Sequence, residues 1–410
     1  MEKYMENRKI DTFLGKEFRI GAARFTVLDA LFVAAVTAAA LVARFYLFPI
    51  KSGDFNTFLN KWLGQIRYAG AFHALGLQIS DYASPYMYLM SIASLFGNGL
   101  YALKAISVIF DFIGATAIAL LVWHLTGSER KTIAGFAFTI LCPTVMVNSA
   151  WWCQCDMIYC TFVLFALLFL FKDKSLWCCI FLGLAFSFKM QTVFILPFIV
   201  MMWLKGRTIK LWHLLVIPAV YLVMHIPAMI AGRPFMEVIS IYFNQTTSYP
   251  YGTLKFPNIY EFFEENMQHR HHMAEMGGWG VWFSLGVVGT LAWWIASRKF
   301  KVDKTIMVTL ALFSVCVVLF TMPHMHERYG FLVDLLAIVY VLQRPKKAPV
   351  ALLYIIISLL TYMPFLNRAY VFPISVLAVV YMGLTVYVGF DLYKQINDNA
   401  EIPARVKKGR

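Results

Sequence analysis

Long uninterrupted apolar runs, separated by short polar stretches, fill the chain from residue 26 to residue 392. Runs without strict alternation predict helices, not the ten-residue alternating strands of a membrane barrel. A helix that crosses a bilayer uses about 20 such residues. The pattern predicts twelve spans, at 26–48, 99–125, 132–150, 157–171, 175–188, 192–204, 211–232, 279–297, 305–322, 329–343, 349–364 and 370–392. Between the first two, residues 49–98 hold an amphipathic stretch, Phe55 to Arg67, and a second, Pro85 to Phe96, too short to cross. Both are expected to lie along the membrane surface. A long polar loop, 233–278, follows the seventh span. The expected fold class is an all-α polytopic membrane protein, with a tail at 1–25, a transmembrane domain at 26–392 and a basic tail at 393–410.

Composition agrees. Hydrophobic residues make up 60% of the chain and charged ones 14%, with a mean hydropathy of +0.67. That stock of apolar side chains exceeds what a soluble core of this size hides. It excludes a soluble globular protein, a disordered chain and a nucleic-acid binder. The net charge of +14 is a matter of topology. Of the 36 Lys and Arg residues, 25 fall in 1–25, 126–131, 172–174, 205–210, 298–304, 344–348 and 393–410. These are the segments on one side of a twelve-span chain, and by the positive-inside rule that side is cytoplasmic. Thirteen spans would break the pattern, so both termini are expected in the cytoplasm. Seven cysteines, an odd number, all sit in or beside apolar runs. Cys153-Gln154-Cys155 lacks the spacing of a zinc knuckle, so the cysteines read as small buried hydrophobes.

Four polar constellations interrupt the apolar sequence: Ser52-Gly53-Asp54, Trp151 to Asp156, Lys189-Met190-Gln191 and His324 to Arg328. All four fall at external ends of spans, which points to one site there. Asp54 is either an N-cap for the helix that follows or a carboxylate able to take a proton from a hydroxyl. Trp151 and Trp152 fit an interfacial belt, which leaves Gln154 and Asp156 unexplained. An aromatic wall beside an amide and a carboxylate suits a sugar ring; the alternative is a structural hydrogen-bond pair. Lys189, with Gln191 beside it, either snorkels to the interface or faces an anionic head group. In His324-Met325-His326-Glu327-Arg328, the two His and the Arg form a phosphate cradle of charge-assisted donors; Glu327 would orient Arg328. His-x-His also suits zinc, although no His-Glu-x-x-His element is present. Lys104 and Asp111, seven apart in the second span, lie on one helical face and are expected to pair within the bundle. Glu261, Glu264, Glu265 and the run His269 to His272 read as a solvated loop, or as an entrance lining.

Taken together, the four constellations resemble the GT-C superfamily of integral membrane glycosyltransferases, which use polyprenyl-phosphate sugars as donors. Trp151 to Asp156, with Phe188-Lys189-Met190-Gln191 and Leu196-Pro197, is similar to bacterial relatives of the GPI-anchor mannosyltransferases. His324 to Tyr329 is similar to the His-x-His-Glu-Lys element of the dolichyl-phosphate-glucose glucosyltransferases, with Arg328 in place of the Lys. The resemblance covers roughly residues 50–340; the last two spans are unassigned by it. The first loop departs from the family in carrying a lone Asp where a pair of acidic residues is usual. The resemblance implies a bacterial plasma-membrane enzyme, its active site facing outward, that moves a hexose from a polyprenyl-phosphate donor to a lipid-linked or envelope glycan acceptor. Asp54 would be the base. Arg328, His326, His324 and Lys189 would hold the donor phosphate. Trp152, Gln154, Asp156, Gln191 and Glu327 would contact sugar or acceptor. Inversion, no metal, no cofactor and no nucleic-acid partner are the corresponding expectations. The rival reading is a secondary transporter or flippase of a lipid-linked saccharide, whose site belongs near the membrane midplane.

Overall fold

The structure is a computed structural model that describes residues 12–206, 209–246, 252–263 and 270–400. Glu264, Glu265 and His269 lie outside the described residues, and so do the side chains of Arg270, His271 and His272. Among the described residues seven helices are long and apolar enough to cross a membrane: Val27–Leu47, Gly99–Thr126, Leu211–Ile230, Gly277–Ser297, Lys304–Thr321, Pro345–Leu366 and Ile374–Asp398. The pair Glu129–Ile140 and Pro143–Trp151, bent by 44°, makes an eighth. Four shorter apolar helices, Asp156–Phe171, Ser175–Phe188, Met190–Leu204 and Phe331–Gln343, fall where the remaining four spans were predicted.

The short helices have a physical reason. Phe331–Gln343 has 13 residues, nearly all buried, and at 1.5 Å per residue reaches only about 20 Å. Wrapped by other helices, it has no lipid-facing length to match. The ninth span, Lys304–Thr321, is 78% buried, against 17% for the first. The ninth and tenth spans are therefore central, while the first packs on the outside. The bend in the third span falls at Cys142-Pro143, where the ring removes a backbone donor.

Two polar locks fix the first span at its C-terminal end. Arg44 donates to Asp111 Oδ2 through Nε at 3.1 Å and Nη2 at 3.0 Å, and Ser149 Oγ donates to the same oxygen at 2.6 Å. Lys104 does not pair with Asp111, contrary to expectation. Its ammonium donates to the carbonyls of Leu47, Phe48 and Ile50 at 3.0, 3.0 and 2.7 Å. The Leu47 and Phe48 carbonyls end the helix, where a cation is favoured. Lys104 thus pins the chain just before Asp54.

At the opposite end an antiparallel hairpin, Glu17–Ile20 with Ala23–Thr26, leads into the first span. Thr26 and Asp29 cap that span reciprocally. Phe300 and Ala400 bridge at this same end. Lys205 reaches the Arg298 carbonyl and Lys304 the His124 carbonyl, each at 2.7 Å. All seven cysteines are buried and free.

Candidate active site at one end of the bundle

The polar constellations meet at the end of the bundle away from the hairpin. Asp54 precedes a wide helical turn, Phe55–Leu59, and makes no side-chain cap. Ser52 takes that role: its Oγ accepts from Phe55 N at 3.1 Å and donates to the Trp152 carbonyl at 2.7 Å. The Asp54 carboxylate is left for other work. Trp152 Nε1 and Gln154 Nε2 both donate to its Oδ2, at 2.9 and 2.7 Å. Oδ1 accepts no hydrogen bond among the described residues, and the side chain is 33% exposed.

A second wide turn, Val147–Trp151, delivers Trp152; such turns gather at functional sites. Cys153 follows with φ +64°, a left-handed conformation that costs a non-glycine residue roughly 1–3 kcal/mol. Hydrogen bonds on either side hold it, from Ser52 to the Trp152 carbonyl and from Gln154 N to the Asn148 carbonyl at 2.9 Å. The next helix begins at Asp156, a carboxylate at the positive end of a helix dipole. Asp156 accepts from Asn148 Nδ2 at 2.8 Å and is paired with Lys189. Lys189 is buried, so its charge is already matched from within the protein.

Arg328 sits among three carboxylates. Its Nη1 lies 3.2 Å from Glu327 and 3.8 Å from Asp54, and its Nε 3.6 Å from Asp156. Burial opposes its charge, but Glu327, Asp156, Tyr82 and Asp54 hold the guanidinium protonated well above the usual arginine range. Its Nε has no hydrogen-bond partner among the described residues. His326 Nδ1 lies 3.7 Å from Glu327. His324 takes φ +62°; its ring packs against Gly277, where a Cβ would lie only 2.6 Å from Nε2. Gln191 is buried beside the Tyr329 hydroxyl.

Exposure divides these residues. Trp152, Gln154, Asp156, Lys189, Gln191 and Glu327 are buried. Asp54 at 33%, His326 at 18% and Arg328 at 16% remain reachable from outside. The rings of Tyr362 and Phe365 lie 5.2 and 6.1 Å from the Trp152 ring, and the Arg328 guanidinium lies 5.8 Å from it. Trp152 therefore has no free face for a sugar, and what it offers is the N–H that fixes Asp54.

Sequence reasoning missed three contributors. Tyr82, in the segment that follows the first span, donates to Gln154 Oε1 at 3.4 Å. Burial, then Cys155, pushes its phenol well up, so it stays a donor. Residues 252–263 of the long loop dock on the His segment: Thr253–Leu254 pairs in parallel with Met325–His326. The His324 and Glu327 amides donate to the Gly252 and Leu254 carbonyls at 2.8 and 3.0 Å. The eleventh span, which the sequence left unassigned, donates Thr361 Oγ1 to the Glu327 carbonyl at 3.1 Å. Among the described residues no three His, Cys, Asp or Glu side chains are grouped to hold a metal ion.

No family model matches the chain, and no curated protein matches it. Among solved structures the chain is similar to ArnT from Cupriavidus metallidurans bound to undecaprenyl phosphate, with a TM-score of 0.52 and 16% identity. The likeness covers 90% of this chain and 78% of that one. At this identity it speaks for the fold alone: the chain is an integral, multi-pass, all-α membrane protein with an ArnT-like fold.

Proposed function

We propose that the protein is a glycosyltransferase that moves a hexose (mannose, glucose or galactose) from a polyprenyl-phosphate donor to a lipid-linked or cell-envelope glycan acceptor. The observation that carries this reading is the Asp54 carboxylate. Oriented through Oδ2 by Trp152 and Gln154, it leaves Oδ1 open beside the partly exposed Arg328. The ArnT-like fold supports it, since that relative holds a polyprenyl phosphate. The chemistry occurs on the external face, because the basic segments gather at the other end of the bundle. Both termini are cytoplasmic, and the membrane is a bacterial plasma membrane.

In this reaction an acceptor hydroxyl gives its proton to Asp54 while its oxygen attacks the anomeric carbon. The bond from that carbon to the phosphate oxygen breaks, its electron pair leaves with polyprenyl phosphate, and the configuration inverts. Negative charge grows on the leaving oxygen, where fixed donors lower the barrier most. Arg328 and His326 supply them from the exposed rim. His324 holds the rim against the eighth span, and Lys189 acts through Asp156. Gln154, Gln191, Asp156 and Glu327 shape the floor under sugar and acceptor. No metal or cofactor takes part. A transporter site would sit near the midplane, whereas these groups lie at one boundary.

The test is transfer of labelled sugar from a panel of polyprenyl-phosphate hexoses in membranes containing native acceptors, with and without EDTA. Label reaching the acceptor equally under both conditions supports the reading. Movement of labelled lipid across the bilayer without transfer overturns it in favour of a flippase.

A further inference from the structure

The eleventh span directs a continuous face at the site. Ser358, Thr361, Tyr362 and Phe365 follow at helical spacing. Ser358 donates to Asp334 at 2.9 Å, Thr361 donates to the Glu327 carbonyl, and Tyr362 meets the Trp152 ring edge-on at 75°. Phe365 is the outermost member. Its ring lies nearly parallel to that of Trp152, at 27° with centroids 6.1 Å apart, and it is 44% exposed. The indole beneath it donates to Asp54. Phe365 is therefore a partly exposed aromatic ring, backed by a second ring, one side chain away from the open carboxylate.

We propose that Phe365 is the platform on which a pyranose ring is held at Asp54, an inference that deepens the reading above and names a substrate-binding residue for it. Axial C–H groups of a hexose present a weakly positive apolar face, and an aromatic ring presents a negative one. Trp152 cannot serve, because its faces are covered. Phe365 can, and its backing by Trp152 fixes the distance between the bound ring and Asp54. A pyranose at this point belongs either to the donor or to the acceptor; both present the same face.

The experiment is saturation-transfer NMR on the purified full chain in detergent, comparing wild type, Phe365→Leu and Phe365→Trp. One arm uses farnesyl-phosphate mannose, glucose and galactose as donor probes; the other uses the methyl glycosides of the same sugars as acceptor probes. Wild type should transfer saturation to sugar-ring protons in at least one arm, which assigns the ring to donor or acceptor. The Trp variant should keep that signal, and the Leu variant should lose about tenfold in sugar affinity while farnesyl protons stay saturated. Equal sugar saturation in the Leu variant, or none in wild type in either arm, overturns the platform. Sugar binding that depends on Phe365, combined with absence of transfer by wild type under turnover conditions, keeps the platform and removes the transferase reading.

Discussion

Replacing Trp152 by Phe isolates the role assigned to its N–H. The ring remains to pack against Tyr362 and Phe365, while the 2.9 Å hydrogen bond to Asp54 Oδ2 is lost. A net hydrogen bond to a charged group is worth about 1.5–3 kcal/mol. Gln154 still holds the same oxygen at 2.7 Å, so the loss falls at the lower end. At 1.36 kcal/mol per decade this is roughly a tenfold drop in the productive population of the base, and hence in kcat. Donor and acceptor KM should stay nearly unchanged, since the lost bond does not contact substrate. Steady-state transfer by the purified variant measures both constants. A variant with kcat at or above wild type would refute the claim that orientation by the Trp152 N–H limits Asp54. Combining Trp152→Phe with Gln154→Leu should cost more than the two single losses together, because the second removal frees the carboxylate.

Further expectations follow from the same contacts. Arg328→Gln leaves Glu327, Asp54 and Asp156 without their shared cation and should cost about 3–5 kcal/mol of stability as well as activity; Arg328→Lys should recover most of the thermal stability in detergent. Arg44→Met should lower the melting temperature far more than Arg44→Met combined with Asp111→Leu, because the single change strands a buried carboxylate. Ser52→Ala removes both a cap and a hydrogen bond to the Trp152 carbonyl, and about 0.5–2 kcal/mol of stability is expected to go with the cap.

The sequence carried the apolar spans and the polar groups gathered at one end of them, because a charge stands out against an apolar background. What it did not carry was partner choice. Lys104 and Asp111 share a helical face, yet the Lys meets the carbonyls ending the first span and the Asp meets Arg44. Seven-residue spacing encodes proximity along one helix and says nothing of better partners on another. Asp54 read equally as a cap or as a base, and only the path of the backbone gives the capping role to Ser52. Phe365 was invisible, being one apolar residue at the end of an apolar span; its meaning comes from the exposed stack on Trp152. Residues 252–263 read as solvated loop because backbone pairing with the His segment leaves no side-chain signature.

The central claim is that Asp54 performs the proton transfer of a sugar-transfer reaction, and the most direct measurement is single-turnover transfer by wild type and Asp54→Asn with donor and acceptor both saturating. The Asn side chain keeps the shape and still accepts from Trp152 and Gln154, but it cannot take a proton. The account predicts transfer by wild type and a loss of roughly 100-fold or more in the variant, the scale of general base catalysis, with donor binding retained. Transfer by Asp54→Asn at the wild-type rate would contradict it.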